Sequence, residues 1–363
     1  MTNQPSSPGL WALAWRRLRA DRVAMVSLAV VAAFLAMLLL SSTGLIVADW
    51  ESEVGVNYAP PAFAGAAGGL AAGKAAPAAA VPDNAFDPLA DDIKALRAQL
   101  GQGAPAAPEM YGVADPLAAE MAELRAATAA AAAPAVRRAT LPFGADKWGH
   151  DVIKKTIKGG ETSIVVGLVA ALLAVSLGTL FGAVSGYYGG LVDDVFNWFY
   201  SIFTSIPAIL MILTVAAVLQ QKGVTTIVLI LGLTGWTGPY RLIRAEYMKH
   251  KGREYVMAAD AIGASTWRKM FSHIFPNVSH VALVQLSILV VGFIKAEVIL
   301  SFLGFGVPVG VVSWGSMLNE AQNELILGKW WQLTAAACAM ALLVTAFSLF
   351  TDALRDALDP KLK

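Results

Sequence analysis

Long runs of apolar residues with almost no charge limit what this chain can fold into more than any other feature does. Residues 23–48 contain no charged side chain at all. A helix crosses the hydrocarbon core of a bilayer with about 20 apolar residues, so this run predicts a first membrane span. The run is longer than the apolar core of a secretory signal, roughly 7–15 residues, and we therefore interpret it as an uncleaved span.

Five further apolar runs follow the first one. They are residues 163–188, 195–219 (with Pro207 as a predicted kink), 224–243, 278–303 and 331–351. Composition agrees with repeated membrane spans, because 57% of the residues are hydrophobic and only 15% are charged, against about 25% charged residues in a typical soluble protein. The sequence therefore predicts an all-α polytopic membrane protein with six transmembrane helices.

Basic residues are concentrated on one predicted side of the membrane. Four arginines precede the first run, and seven basic residues lie between positions 241 and 269, whereas residues 304–329 contain one lysine and two glutamates. Cytoplasmic loops carry the excess of Lys and Arg, so both termini are expected in the cytoplasm. The predicted parts are a cytoplasmic N-terminus 1–22, a first span 23–48, an external insertion 49–142, a five-helix core 143–352 and a cytoplasmic tail 353–363.

The predicted external insertion is rich in Ala, Pro and Gly and contains an internal repeat. DPLADDIKALRAQL at 87–100 aligns without gaps with DPLAAEMAELRAAT at 115–128. An Asp-Pro start followed by apolar residues at helical spacing predicts a short amphipathic helix in each copy. Two interpretations remain open for the insertion, a spacer without a specific role and a cap or docking surface on the outer side.

A charged segment with two short predicted helices separates the fourth and fifth runs. Arg253 to Ile262 suits a helix, and Gly263 stands where a residue with positive φ would end it. Ser265 is placed to cap a second helix at about 266–275, and Pro276 then opens the fifth span. Trp267, Met270 and Phe271 are large apolar side chains in this loop. They are expected either to pack on the chain's own helix ends or to anchor in a partner's groove.

The spacing Ala258-Ala259, Gly263, Pro276 resembles the cytoplasmic coupling loop of ABC importer permeases. In that family the pattern is Glu-Ala-Ala, three residues, Gly, nine residues and Ile-x-Leu-Pro. Met257 stands here where the family usually has Glu, and Phe275 where it has Leu. Ile274 lies one place later than in the general pattern, an arrangement similar to the dipeptide, oligopeptide and nickel branch.

Further motifs of the same branch occur in family order along the chain. They are FGADKWGHDVIKKTIKGGETS (143–163), GYYGGLVDD (186–194), LSFLGFG (300–306), SWG (313–315) and DALRDALDPK (352–361). Ala145 and His150 replace a Thr and an Arg that are usual in the first of these motifs. The resemblance covers about residues 10–48 and 143–363 and leaves out 51–140. It is closest to the subunit with a short N-terminus.

The resemblance implies a type I ABC importer permease-like fold in the bacterial cytoplasmic (inner) membrane, with the coupling loop at 246–277. It implies a second six-span permease subunit, two cytoplasmic ATPase subunits or domains that bind ATP-Mg, and an external substrate-binding protein as partners. The residues that would couple this chain to the ATPases are Glu254, Ala258, Ala259, Gly263, Ser265, Trp267, Arg268, Met270, Phe271 and Pro276.

No motif for catalysis or for a bound cofactor or metal is found in the sequence. The phosphate loop Gly-x4-Gly-Lys-Ser/Thr, the His-Glu-x-x-His helix and the Gly-x-Ser-x-Gly elbow do not occur, and a single cysteine forms no thiolate cluster. We therefore expect a non-catalytic subunit. Lys295 and Glu297 lie within the fifth span, where charge is costly, and with Ser301 they are candidates for the substrate path. A structural ion pair with the partner subunit is the other interpretation of Lys295 and Glu297.

Two other classes of function compete with the importer. The first is a stand-alone channel or ion-coupled carrier, against which stand the few ionisable groups in the spans and the lack of inverted halves. The second is a membrane scaffold or receptor that uses the external insertion. Dependence on ATP distinguishes the importer from both. The sequence favours an importer of peptides or similar small solutes and does not identify the substrate.

Overall fold

The computed structural model describes residues 10–64, 120, 123, 137–308 and 310–358, which are helical over most of their length. Within these ranges the β contacts are three isolated bridges. The elements are α1 (Leu10–Ala20), α2 (Arg22–Ser42), a 3-10 turn (Ala62–Ala64), α3 (Val152–Tyr188), α4 (Gly190–Ser205), α5 (Ala208–Leu219), α6 (Val224–Thr234), α7 (Thr237–Lys251), α8 (Glu254–Ala261), α9 (Thr266–Arg268), a π-helical segment (Lys269–Ile274), α10 (Phe275–Phe302), α11 (Trp314–Ile326) and α12 (Trp331–Leu358).

Four helical stretches of the described chain are long and apolar enough to cross a membrane. They are α2, α3, α12 and the continuous run from α9 through α10, Thr266–Phe302. Helices α4 and α5 would form a fifth span if they are counted as one, but they are bent by 87° around Ile206 and Pro207. The predicted span at 224–243 is likewise divided between α6 and α7. The all-α polytopic fold is confirmed, whereas the count of six spans stays a prediction.

Glycines on α3 allow a neighbouring helix backbone to come unusually close. A Cβ added at Gly178 would lie 2.6 Å from the Trp236 carbonyl oxygen, and one at Gly182 would lie 2.7 Å from the Tyr240 carbonyl oxygen. Gly186 meets the Arg244 carbonyl oxygen in the same way at 2.5 Å. Small residues spaced four apart let membrane helices approach and gain van der Waals contact. These glycines therefore allow the close packing of α3 on α7.

Helix α3 is the central element, and the core forms around it. The larger hydrophobic cluster joins α3 to α6, α10, α11 and α12, with Trp314 fully buried. A second cluster joins α3 to α7, α8 and the π-helical segment. These two clusters place the predicted coupling loop at one end of the molecule and α11 at the other.

The two flanks of the Ala/Pro-rich stretch pair with each other before the permease core begins. The Arg138 N–H donates to the Val54 carbonyl at 2.8 Å, and the Ala62 N–H donates to the Leu141 carbonyl at 2.8 Å. Ala59 and Leu141 are buried beside Ala145. Residues 53–62 and 138–142 therefore form a small closed base at the two ends of the external insertion, whose bounds of 49–142 stay a prediction. The predicted amphipathic helices lie outside the described residues except for Glu120 and Glu123, which are helical and exposed.

Candidate functional site

Helix α8 and the turn after it form the tip of the predicted coupling loop. Gly263 has φ +79°, and nothing lies within 4 Å of the position where its Cβ would be. The Gly263 N–H donates to the Asp260 carbonyl at 2.9 Å, and the Ala264 N–H donates to the Ala259 carbonyl at 3.0 Å. This pair of bonds is a Schellman motif, which needs a residue that tolerates positive φ. The glycine is therefore needed for its backbone conformation and not for space.

The second predicted helix of the loop is the start of the fifth span and not a separate helix. The Ser265 hydroxyl caps it by accepting from the Arg268 N–H at 3.4 Å, and helical structure then continues without a break to Phe302. The Phe275 N–H donates to Met270, five residues back. Pro276 has no N–H and its ring clashes with the carbonyl four residues earlier, so a widened π turn before it lets the helix pass through.

One side of the loop is anchored firmly in the protein. Met270 is fully buried, and its carbonyl accepts a bond from the Tyr247 hydroxyl at 3.1 Å. Val256 on α8 belongs to the same buried cluster as Met270, and Ala259 on α8 is buried too. Lys269 forms an ion pair with Asp260, which ties α8 to the start of the long helix. Met270 therefore packs on the chain's own helices, as the first of the two interpretations expected.

The other side of the loop presents large apolar side chains to the surroundings. The exposed fraction is 83% for Ile262, 57% for Trp267 and 56% for Met257. The Trp267 ring stacks on Phe271 with centroids 5.2 Å apart and planes at 11°, so its position is fixed although it is exposed. We call Met257, Ala258, Ile262 and Trp267 the coupling tip. Of the other predicted coupling residues, the exposed ones are Glu254, Gly263, Ser265, Arg268 and Pro276.

Glu297 is enclosed by its own chain at the junction of three helices. Its two carboxylate oxygens accept hydrogen bonds from Ser163 on α3 and Ser301 on α10, each at 2.6 Å. The Ser163 hydroxyl also accepts the Trp314 N–H of α11 at 3.2 Å. Glu297 is fully buried, so the carboxylate has its partners within the chain. Lys295 lies on a different face of α10 and is exposed. The structure brings Glu297 and Ser301 together and separates Lys295 from them.

A network of charged side chains lies at the opposite end from the coupling tip. The Lys155 ammonium donates to Asp146 at 2.7 Å and to Glu320 at 2.6 Å, and Lys155 and Asp146 are both buried. The ring nitrogen Nδ1 and the backbone N–H of His150 also contact the Asp146 carboxylate. Burial alone would raise the pKa of Asp146, but the charge and hydrogen bond of Lys155 hold that pKa below its usual value. The network joins the start of α3 to α11.

Glu324 on α11 is the exception in this otherwise satisfied network. It is 2% exposed, and neither of its carboxylate oxygens has a hydrogen-bond partner among the described residues. Burial raises the pKa of Glu324 to about 7, and the nearby carboxylates of Asp146 and Glu320 add to this effect. Sequence reasoning did not single out Lys155, Glu320 or Glu324. Single charged residues on α3 and α11 do not indicate a charged network in the sequence, because they become neighbours only when the two helices pack together.

Comparison with known proteins assigns the chain to a family. Residues 178–363 match the family described as the inner membrane component of binding-protein-dependent transport systems. Residues 9–61 match the N-terminal transmembrane domain of oligopeptide transport permease C. The chain belongs to the binding-protein-dependent transport permeases. The second match ends at residue 61, inside the closed base. It therefore extends past residue 48, where the N-terminal resemblance described in the sequence analysis ended.

Curated relatives cover much of this permease. It is 37% identical over 221 residues to the dipeptide transport system permease protein DppC of Bacillus subtilis, a match that covers 61% of this chain and 69% of the relative. It is 36% identical to the oligopeptide transport system permease protein OppC of the same organism, over 61% and 72% of the two chains. A solved structure of the MetNI methionine ABC transporter aligns with a TM-score of 0.45 and 14% identity, over 56% of this chain and 96% of that one.

These relationships confirm the predicted ABC permease resemblance and its peptide branch. The permease is a multi-pass inner-membrane protein and a non-catalytic transport subunit. The competing classes, a stand-alone carrier or a scaffold, are not favoured.

Proposed function

We propose that this permease imports peptides or similar small solutes, and that its coupling tip docks into a groove on a cytoplasmic ATPase subunit. The substrate class is supported by the similar relatives, which are a dipeptide and an oligopeptide transport permease. Two such ATPases would bind ATP-Mg, a second permease subunit would complete the pore, and an external binding protein would deliver the substrate. Both termini would lie in the cytoplasm.

The observation that carries the docking proposal is the two-sided character of the loop. Its inner side is held by buried Met270 and Tyr247, while Ile262 and Trp267 project outward. Exposed apolar side chains on a rigid base are the anchors that dominate binding energy in protein interfaces. Met257, in place of the family's usual Glu, makes this tip more apolar, so the contact relies on burial more than on charge.

The same geometry suggests how movement would be transmitted. The run from α9 through α10 is continuous from Thr266 to Phe302, and the Lys269–Asp260 ion pair fixes α8 to its start. A displacement of the tip by closing ATPases would therefore tilt this long helix as one body, in the manner of shear and hinge transitions between packed helices. Glu297 near the other end of α10 would pass the motion to α3 and α11 through its serine contacts.

Lys295 is the substrate-path candidate that the geometry supports best. It is exposed on a membrane span, and a lone cation there is costly unless it faces a partner or a wet path. Replacement by Met should reduce peptide uptake more than it reduces assembly if Lys295 contacts substrate. Equal loss of both would assign it to the interface with the second permease subunit.

A matched pair of surface substitutions tests the docking proposal. Ile262→Asp places a charge in the coupling tip. Ile326→Asp places the same charge on the predicted outer side, at a side chain with nearly the same exposed fraction, 84% against 83%. Both variants should fold, since neither side chain is buried. With tagged chain purified in mild detergent and its partners identified by mass spectrometry, Ile262→Asp should recover the second permease but lose the ATPases. A hot-spot loss of about 2 kcal/mol or more corresponds to a drop of roughly 30-fold.

Ile326→Asp should leave ATPase recovery unchanged. Equal recovery in both variants would reject docking through the tip. A stable wild-type chain that is active and carries no ATPase would reject the importer itself and favour a carrier or a scaffold.

The turn provides a second test. Gly263→Val forces a β-branched residue into a left-handed conformation at a cost of about 1–2 kcal/mol, whereas Gly252 has φ −89° and open space around it, so Gly252→Val should be tolerated. We expect Gly263→Val to uncouple ATP hydrolysis from uptake, measured in proteoliposomes with both rates in parallel. Coupled transport in both variants would show that the Schellman turn is not needed.

A further inference from the structure

The short helix α1 packs one stripe of small and apolar residues on the end of α12. Ala14 and Leu18 are buried against Leu354 and Ala357. Residues four apart lie on the same face of a helix, so this stripe fixes which way the rest of α1 faces. The helix ends at Ala20, and Asp21 caps α2 by accepting the Val23 N–H at 2.8 Å.

The acidic groups of this region lie on the packed side of α1 or along α12. Arg17 donates to the Ala357 carbonyl at 3.5 Å. Asp21 and Asp356 line a cavity of about 240 Å³ beside Arg17. Asp352 is exposed on α12. Arg17 therefore faces the packed side, where its charge is near carboxylates.

The outward face of α1 is basic and aromatic. Trp15 is 45% exposed, and the Arg19 guanidinium lies over its ring, 5.2 Å from the centroid. Arg16 and Arg19 are exposed and have no ion-pair partner among the described residues, and exposed Arg22 follows at the start of α2. Arg16 and Arg19 are three positions apart and therefore neighbours on the helix surface.

This face lies next to a membrane span. Helix α2 is long and apolar enough to cross a bilayer, and Arg19 and Arg16 precede its first residue by three and six positions. At 1.5 Å per residue these positions lie within roughly 5–9 Å of the start of α2, which is within about one Debye length at physiological salt. Clusters of arginine beside a transmembrane helix are attracted to anionic lipid, and tryptophan favours the level of the headgroups.

We propose that Trp15, Arg16, Arg19 and Arg22 form a binding face for the phosphate headgroup of an anionic phospholipid. The negative charge of the phosphate is complementary to these arginines, and this complementarity favours lipid over a neutral or basic protein surface. The proposal rests on α2 crossing the membrane and does not depend on transport.

The test uses the full chain in nanodiscs of mixed phosphatidylglycerol and phosphatidylcholine. Both leaflets then have the same composition, so the result does not depend on orientation. Spin-labelled forms of the two lipids report their relative association with the protein by electron paramagnetic resonance. Arg16→Gln with Arg19→Gln is compared with Arg16→Lys with Arg19→Lys, while Arg17 and Arg22 are kept to maintain topology.

We expect the wild type to prefer phosphatidylglycerol, with a preference that declines at 1 M salt. In the double Gln variant the preference for phosphatidylglycerol should fall by up to about fivefold for each arginine removed. The double Lys variant should keep most of this preference. The buried Ala14–Leu18 stripe is unchanged in both, so thermal stability should be equal.

An unchanged lipid preference in the double Gln variant would overturn the proposal, and so would equal loss in both variants, because charge would then not be the cause. If the double Gln variant keeps its lipid preference but no longer co-purifies with ATPases, the face is a protein contact and the proposal fails. ATPase recovery through the coupling tip is a separate measurement, so failure here is distinguishable from failure of the proposed function.

Discussion

Replacing Glu324 by Gln should make the protein more stable at neutral and alkaline pH. The carboxyl is almost completely buried and both of its oxygens lack partners among the described residues. Its pKa rises from 4.5 to about 7 in the folded protein. Between these two values the folded state keeps a proton that the unfolded state has released, so stability falls as pH rises through this window. Above about pH 7 the full cost of the buried negative charge is present.

The size of the effect follows from the shift. At 1.36 kcal/mol per pKa unit, the rise from 4.5 to about 7 is worth on the order of 3 kcal/mol. Neutral Gln does not carry this cost. The difference in unfolding free energy between Glu324→Gln and wild type should therefore be near zero at pH 4.5 and approach about 3 kcal/mol at pH 8. For domains of 150–250 residues each kcal/mol moves Tm by roughly 2–4 °C.

The assay is thermal unfolding of both proteins in the same detergent at half-unit steps from pH 4.5 to 8. Other groups titrate in this range, and the comparison at each pH cancels their contribution. Glu320→Gln is a control of opposite sign. The Glu320 carboxylate lies 2.6 Å from the buried Lys155 ammonium, so removing its charge should destabilise the fold. A stability difference between wild type and Glu324→Gln that does not vary with pH would refute the reasoning.

Three further predictions concern packing and the insertion. Gly182→Ala should destabilise the fold by about 1–3 kcal/mol, because its Cβ would meet a carbonyl oxygen at 2.7 Å, whereas Gly292→Ala, with open space, should leave thermal unfolding unchanged. Glu297→Gln should assemble normally because an amide can bond both serines, while Glu297→Leu should leave the O–H donors of two buried serines without their acceptor and lower the yield of complex; equal yields would contradict this role. Joining residues 64 and 137 with a short Gly-Ser linker should preserve folding, since the flanks already pair; loss of folded protein on size exclusion would show that the insertion supports the fold.

The sequence was sufficient wherever the physical cause is local or periodic. Apolar length identified the membrane spans α2, α3, α10 and α12, because burial in lipid requires it along the chain itself. The end of α8 at Gly263 was also predictable, since only a residue that tolerates positive φ completes that turn. The spacing of the family motifs was equally local, and the comparisons confirmed the resemblance.

Local patterns were less reliable where helices break or join. Pro207 indicated a kink in the apolar run at 195–219, but hydrophobicity does not report direction, so the size of the bend, 87° between α4 and α5, was not predictable. The segment after Ser265 looked like a separate helix, but a π turn before Pro276 makes it continuous with the fifth span. Hydrogen bonding around a proline depends on which carbonyls its neighbours can reach, and composition does not contain that information.

The order of residues was enough to identify a helical membrane permease, and it predicts where a coupling loop would lie. Tertiary structure alone decided which loop residues face outward, placing Met270 inside and Ile262 outside, although both are apolar. It also decided that Glu297 is satisfied by serines and that Glu324 has no hydrogen-bond partner among the described residues. The physical reason is that the pKa of a buried charge and the exposure of an apolar side chain depend on neighbours distant in sequence, and only packing brings those neighbours together.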